Sequence, residues 1–174
     1  MNSDVGLLLL RVVAGLVVMA HGAQKLGLLG GQGPEGTQKM IEKTGVRPTA
    51  LWATVVTMTE FAGGALLALG LGGPLPGVAI AGNLAVAIVL VHLQKGFWNM
   101  KGGLEFPLVL GSGALAIAMT GPGWWALDRV LRLTYDESLV VIWSILVVAG
   151  VVLALASRGL GEQGAVDMRG ARGI

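Results

Sequence analysis

Cysteine is absent, so no disulfide, thiolate nucleophile, iron–sulfur cluster or dithiol chemistry can belong to this chain alone. Any redox role must borrow its electron carrier. Charge is scarce too: Asp, Glu, Lys and Arg make up 13% of the residues, about half the fraction usual in soluble proteins. The few Lys and Arg form no dense run, and aromatics are only 5% of the chain, so nucleic-acid binding has no footprint. What fills the sequence is apolar. Such residues are 54% of the 174 and mean hydropathy is +0.76, which makes the lipid bilayer the expected solvent for a single domain.

Five apolar stretches are long enough to cross about 30 Å of hydrocarbon at about 1.5 Å per residue. They lie near residues 5–27, 49–71, 75–94, 104–121 and 138–157. The expected architecture is therefore an all-α integral membrane protein. The start, Met-Asn-Ser-Asp, is not basic and Arg11 interrupts the apolar run, so the first segment reads as a retained helix rather than a signal peptide. Gly72-Gly73-Pro74-Leu75-Pro76 forces the second and third segments into an antiparallel hairpin. Within the long first connection, Thr37 to Lys43 is expected to form a turn or two of interfacial helix with Met40 and Ile41 facing the membrane. The fifth segment, rich in Val, Leu and Ile, reads as a lipid-facing addition to a four-helix core, and the polar stretch 158–174 as a disordered tail.

Nine Lys and Arg fall on the side of the first loop, the third loop and the tail: Lys25, Lys39, Lys43, Arg47, Lys95, Lys101, Arg158, Arg169 and Arg172. Three, Arg11, Arg129 and Arg132, fall on the other. The positive-inside rule then puts the amino terminus outside and the carboxyl terminus in the cytoplasm. Trp52 and Trp98 mark the inner boundary, and Trp124, Trp125 and Trp143 the outer one. Were the fifth segment to lie in the interface, the tail would change sides and the bias would vanish.

Ionisable groups inside a bilayer are costly, and each needs a reason. Glu60 lies eleven residues beyond Thr49, about 16 Å deep, near the midplane. Arg11, entering from the opposite face, is the cation expected to pair with it; the alternative is that Arg11 snorkels outward to Asp128 or to phosphates. His21 and Lys25 are four apart and share a helix face. Asn83 and His92 are nine apart, about 180° on a straight helix, so one or the other should line an interior pocket. His92 is favoured because it sits at the boundary of His21, Lys25 and Glu105. Glu105-Phe106-Pro107 is either an ordinary helix start or the place where Glu105 joins His21, Lys25 and His92 in one polar pocket. The spacing of these groups matches no metal-ligand motif.

The segments LLLLRVVAGLVVMAHGAQKLG, TEFAGGALLALGL, VHLQKGFWNMKGGLEFPLVL and TGPGWWALD together resemble the DoxX family of small bacterial membrane proteins, over about residues 5–128. The resemblance carries onto Arg11, His21, Gly22, Gln24, Lys25, Glu60, Gly64, His92, Gly96, Phe97, Glu105, Gly121 and Asp128. It implies a four-helix transmembrane bundle. It also implies links, in some relatives, to quinone-dependent sulfur oxidation, membrane oxidoreductase complexes and oxidative-stress defence. The fifth segment and polar tail depart from the pattern.

The first functional expectation is a redox-linked subunit whose pocket near the cytoplasmic side takes a quinone or similar lipophilic ring. In it His21, Lys25, His92 and Glu105 bind the ligand, and Glu60 and His21 relay protons. The chain supplies no electron donor, so it is at most one subunit of an oxidoreductase, with a soluble or membrane redox partner. The alternatives are a non-catalytic scaffold for soluble redox enzymes and a small-molecule or proton pathway gated by Glu60. Self-association into a homo-oligomer is compatible with all three.

Overall fold

The apolar run that ends in His21 and Lys25 forms helix α1, Asn2–Lys25, in the computed structural model, which describes the backbone of residues 2–171 and the side chains of residues 3–158. A short helix α2, Gly33–Lys43, folds back beneath it and leads to α3, Thr49–Leu69. Next come α4, Leu75–Ala87, and α5, Glu105–Thr120; between them the chain passes through a π-helical turn, Ile88–His92, and two short 3-10 turns. A four-residue helix α6, Leu127–Val130, precedes α7, Glu137–Ala171.

Four of these helices close a ring in which α1 packs on α3, α3 on α4, α4 on α5 and α5 on α1. Its centre is filled by Ala14, Val18, Leu67, Ile80, Ala114 and Ile117. In a bilayer helices gain nothing by hiding apolar surface from lipid, so close backbone approach has to hold them. The α1–α3 seam shows how. A Cβ on Gly15 would lie 2.5 Å from the Ala68 amide nitrogen, and one on Gly22 would strike the Phe61 backbone. Only hydrogen fits at either place, and these contacts fix the antiparallel register. Glu60 comes level with Ala23, at the basic end of α1, while Arg11 comes level with the end of α3.

By length and composition, Ser3–Lys25, Thr49–Leu69, Leu75–Lys95 and Glu137–Arg158 are each able to cross a membrane. The chain is an all-α membrane protein. Helix α5 is the short one: its sixteen residues span about 24 Å, less than the usual hydrocarbon thickness. Helix α7 lies outside the ring against α4, and only 6% of its apolar window is buried, as a lipid-facing addition requires. It is tied to the bundle by Trp143 Nε1 donating to the Leu75 carbonyl at 3.0 Å and by the Arg47 amide donating to Ser157 Oγ at 3.3 Å. Its backbone is helical to Ala171; of the tail expected from residue 158, residues 172–174 and the side chains beyond Arg158 lie outside the described residues.

At the opposite end of the bundle Asp128 organises the loops. Its carboxylate accepts from the Gly72 and Gly73 amides at 3.1 and 2.7 Å and from Tyr135 Oη at 2.7 Å. Burial, the first cause, and the hydrogen bond and charge of Asp128 raise the Tyr135 pKa above its ordinary value. One carboxylate thereby holds the α3–α4 turn against the approach to α7.

Candidate functional site

Three helices meet at the Glu60 carboxylate. Lys25 Nζ, from the last turn of α1, donates to Oε2, and Asn83 Nδ2, from the middle of α4, donates to Oε1 at 3.3 Å. Glu60 is 8% exposed, so an unpartnered carboxylate there would be strongly desolvated; the ammonium and the amide between them engage both oxygens.

The expected pairing of Arg11 with Glu60 does not occur. Arg11 instead donates through one terminal nitrogen to the Ala68 carbonyl and through the other to the Trp125 carbonyl at 2.7 Å. Register explains the difference. The depth estimate gave α1 and α3 a common inner edge, but the glycine seam shifts α3 so that its first turns reach past the end of α1 and rest on α2. Arg11 then faces the carbonyl end of α3, where the last four carbonyls lack helical partners and the helix dipole favours a cation.

Beside the Lys25–Glu60–Asn83 cluster lies a cavity of about 280 Å³. Its walls come from α1 (Val18, His21, Lys25), α3 (Trp52, Val56, Glu60), α4 and its π turn (Asn83, Ala87, Leu90, His92), α5 (Phe106, Pro107, Leu110) and the α2 region (Met40, Ile41, Thr44, Val46). Nearly all of that lining is apolar, and the polar groups are few and convergent, the usual make-up of a small-molecule site.

Asn83 and His92 both line this cavity, which a straight α-helix forbids. The π turn over Ile88–His92 resolves the conflict: one extra residue in a turn takes up about 100° and brings the two side chains from about 180° to about 80° apart. His92 Nδ1 lies 2.7 Å from the Gly102 carbonyl oxygen. A carbonyl only accepts, so Nδ1 carries the hydrogen, and in the neutral ring Nε2 is left as an acceptor. His21 stands edge-on to Phe106, ring centres 5.6 Å apart, which sets its orientation at the cavity wall.

Glu105 does not join them. It is absent from the cavity lining, and its Oε2 accepts from the Asn99 amide at 2.9 Å. Together with the Glu105 amide on the Phe97 carbonyl at 3.0 Å, this ties the loop before α5 to its first turn. Of the five candidate groups, His21, Lys25, Glu60 and His92 gather at one cavity and Glu105 closes a loop. Among the described residues, no three His, Asp or Glu side chains are placed to hold a metal ion.

Two contributors escaped sequence reasoning. Asn83, a lone amide in an apolar helix, gave a signal that straight-helix geometry weighed against. The α2 wall gave none, because Met40 and Ile41 were expected to face lipid and instead face the cavity.

No solved structure matches the chain. Residues 6–93 match the DoxX family model. The protein named "Putative oxidoreductase CatD" from Bacillus subtilis (strain 168) is 34% identical over 125 residues, covering 72% of this chain and 86% of that one. "Inner membrane protein YqjF" from Escherichia coli (strain K12) is 30% identical over 131 residues, 74% of this chain and 94% of that one. "Uncharacterized membrane protein Rv3486" from Mycobacterium tuberculosis (strain ATCC 25618 / H37Rv) is 29% identical over 132 residues, 70% and 78% of the two chains. An all-helical ring of apolar helices, matched over half its length by that model, places the chain in the DoxX family of membrane proteins.

Proposed function

We propose that this protein is the membrane subunit of a redox system and that its cavity at the basic end receives the ring of a lipophilic carrier of the quinone class. The observation that carries the reading is the convergence of Lys25, Glu60, Asn83, His21 and His92 on an apolar-walled space of about 280 Å³. Such a space suits a flat ring with polar substituents: apolar walls accept its faces, and separated donors and acceptors meet its oxygens. The name of the Bacillus subtilis relative, which includes the word oxidoreductase, is consistent with this reading. The positive-inside count supports a position of this cavity near the cytoplasmic side.

When bound, a quinone supplies two-electron carrier chemistry coupled to protons. The chain's own part is binding and proton handling. The Asn83 amide and the His21 ring offer donors, and His92 Nε2 offers an acceptor toward a hydroxyl. Glu60, held between Lys25 and Asn83, is the group able to take up or release a proton within the bundle, with His21 carrying it to the cavity mouth. The partner, soluble or membrane-bound, supplies the electrons.

The test is equilibrium binding of a short-chain quinone to purified protein in nanodiscs, read by quenching of tryptophan, with Trp52 in the cavity wall. Saturable binding that weakens at least about tenfold in His21→Ala and Asn83→Leu is expected. Linear, unsaturable quenching, unchanged by either substitution, overturns the reading and favours a scaffold, in which these residues serve folding alone.

A further inference from the structure

A second cavity, of about 220 Å³, lies between α3, α4 and α7. Trp52, Val56, Asn83, Val86 and Ala154 line both cavities, so the two adjoin across the Asn83 layer. We propose that together they form one bent site, in which the ring of an amphiphile occupies the first cavity and its isoprenoid chain runs through the second to the bilayer. This rests on the function proposed above and adds the class of ligand: a carrier with a long branched apolar chain, rather than a free ring.

Three observations point to a chain. The wall of the second cavity is mostly apolar, and of its few polar groups besides Thr59 both indoles are already engaged and the Asn83 amide partly so: Trp52 Nε1 donates to the Arg47 carbonyl, Trp143 Nε1 to the Leu75 carbonyl and one Asn83 Nδ2 hydrogen to Glu60. These residues therefore turn mostly apolar surface toward the space, which is poorly suited to water needing two to four polar partners. Second, helix α7 touches α4 closely at Gly82, where a Cβ would lie 2.5 Å from Val147 Cγ1, yet a Cβ on Gly150, a lining residue, would meet nothing within 4 Å. The gap is thus left open beside a tight contact. Third, Gly150 lies thirteen residues from Glu137 and eight from Arg158 in its span, about 20 and 12 Å from the ends. At that depth the surroundings are hydrocarbon, and an apolar chain is what can enter from the side.

The experiment compares three probes in nanodiscs, each dosed by its mole fraction in the bilayer: an isoprenoid quinone, the same ring with methyl in place of the chain, and an isoprenoid alcohol without the ring. Wild type is set against Gly150→Leu and Gly150→Ala, with helicity and thermal unfolding confirming the fold. The expected result is that the isoprenoid quinone binds at least about tenfold tighter than the methyl ring. Gly150→Leu should remove most of that advantage and leave the methyl ring unaffected, and Gly150→Ala should fall between. Equal binding of the two quinones, or a Gly150→Leu effect equal on both, overturns the chain site while the ring reading stands. Binding of the alcohol, lost in Gly150→Leu, without binding of either quinone keeps the chain site and overturns the ring reading. Saturable binding of none overturns both.

Discussion

Lys25, the last residue of α1, donates to Glu60, eleven residues past the start of α3, so the end of one helix is locked to the interior of another. Their side chains are 13% and 10% exposed. The pair is therefore neither a surface ion pair of negligible worth nor a fully desolvated one.

The two halves of this pair should not cost the same to remove. Lys25→Met leaves the Glu60 carboxylate buried with only the Asn83 amide, and breaking a buried pair in this way costs about 3 kcal/mol. Glu60→Gln leaves an ammonium at a helix end, where a long stem can carry it toward the headgroups, and about 1–2 kcal/mol is expected. The double variant should be more stable than Lys25→Met alone. Thermal unfolding in nanodiscs checks the order, and additive losses would show that the two residues do not act as a pair.

Two glycines of α1 predict opposite signs for the same change. A Cβ on Gly6 meets nothing within 4 Å, so Gly6→Ala should stabilise by about 0.5–1 kcal/mol through helix propensity. A Cβ on Gly22 collides with the Phe61 backbone, so Gly22→Ala should cost about 1–3 kcal/mol by forcing α1 and α3 apart. It should also disturb the Lys25–Glu60 contact one turn away. Urea or thermal melts of the two variants side by side decide it.

Tyr135 is the only tyrosine in the sequence, so tyrosinate absorbance reports it alone. Burial and the neighbouring Asp128 raise its pKa in the folded protein, against about 10 for an ordinary tyrosine. An elevated pKa stabilises the fold fully below the unfolded value, and that contribution is lost as pH climbs through the folded one. Absorbance should therefore rise later in folded than in denatured protein, and stability should fall above about pH 10. Tyr135→Phe should flatten that alkaline loss. Asp128→Asn should bring the titration back toward the ordinary range.

Much of the architecture was legible because a bilayer leaves few choices: apolar runs of about twenty residues must be helices, and Gly-Pro clusters must separate them. Depth was legible only helix by helix. Where Glu60 lies relative to Arg11 depends on the α1–α3 register, set by Gly15 and Gly22 against specific backbone atoms of α3, a relation between distant segments that no local pattern carries. Likewise, pairing His21 with Lys25 needed only the helical period, whereas turning both Asn83 and His92 to one cavity needed a π turn that hydropathy does not announce. Glu105 shows the converse, since its ordinary reading as a helix-start acid suffices.

That π turn yields the last prediction. Val89 is 46% exposed and lies within Ile88–His92, so deleting it can return the segment to α geometry with little loss of packing. Asn83 and His92 would then be eight residues apart on a straight helix, about 80°, the angle the π turn now gives them. His92 should therefore keep the Gly102 carbonyl, which it now meets at 2.7 Å, and amide exchange across residues 97–104 should stay near wild type. His92→Ala, which removes the contact and leaves the π turn, should speed that exchange by about tenfold, the equivalent of one ordinary hydrogen bond, while exchange along α1 and α3 stays as in wild type. His92→Gln, which keeps a donor for the carbonyl, should raise it less. Exchange in the Val89 deletion as fast as in His92→Ala would mean that the extra residue is not what aims His92, and unchanged exchange in His92→Ala would mean that the loop is held by the Glu105 bond to Asn99 instead.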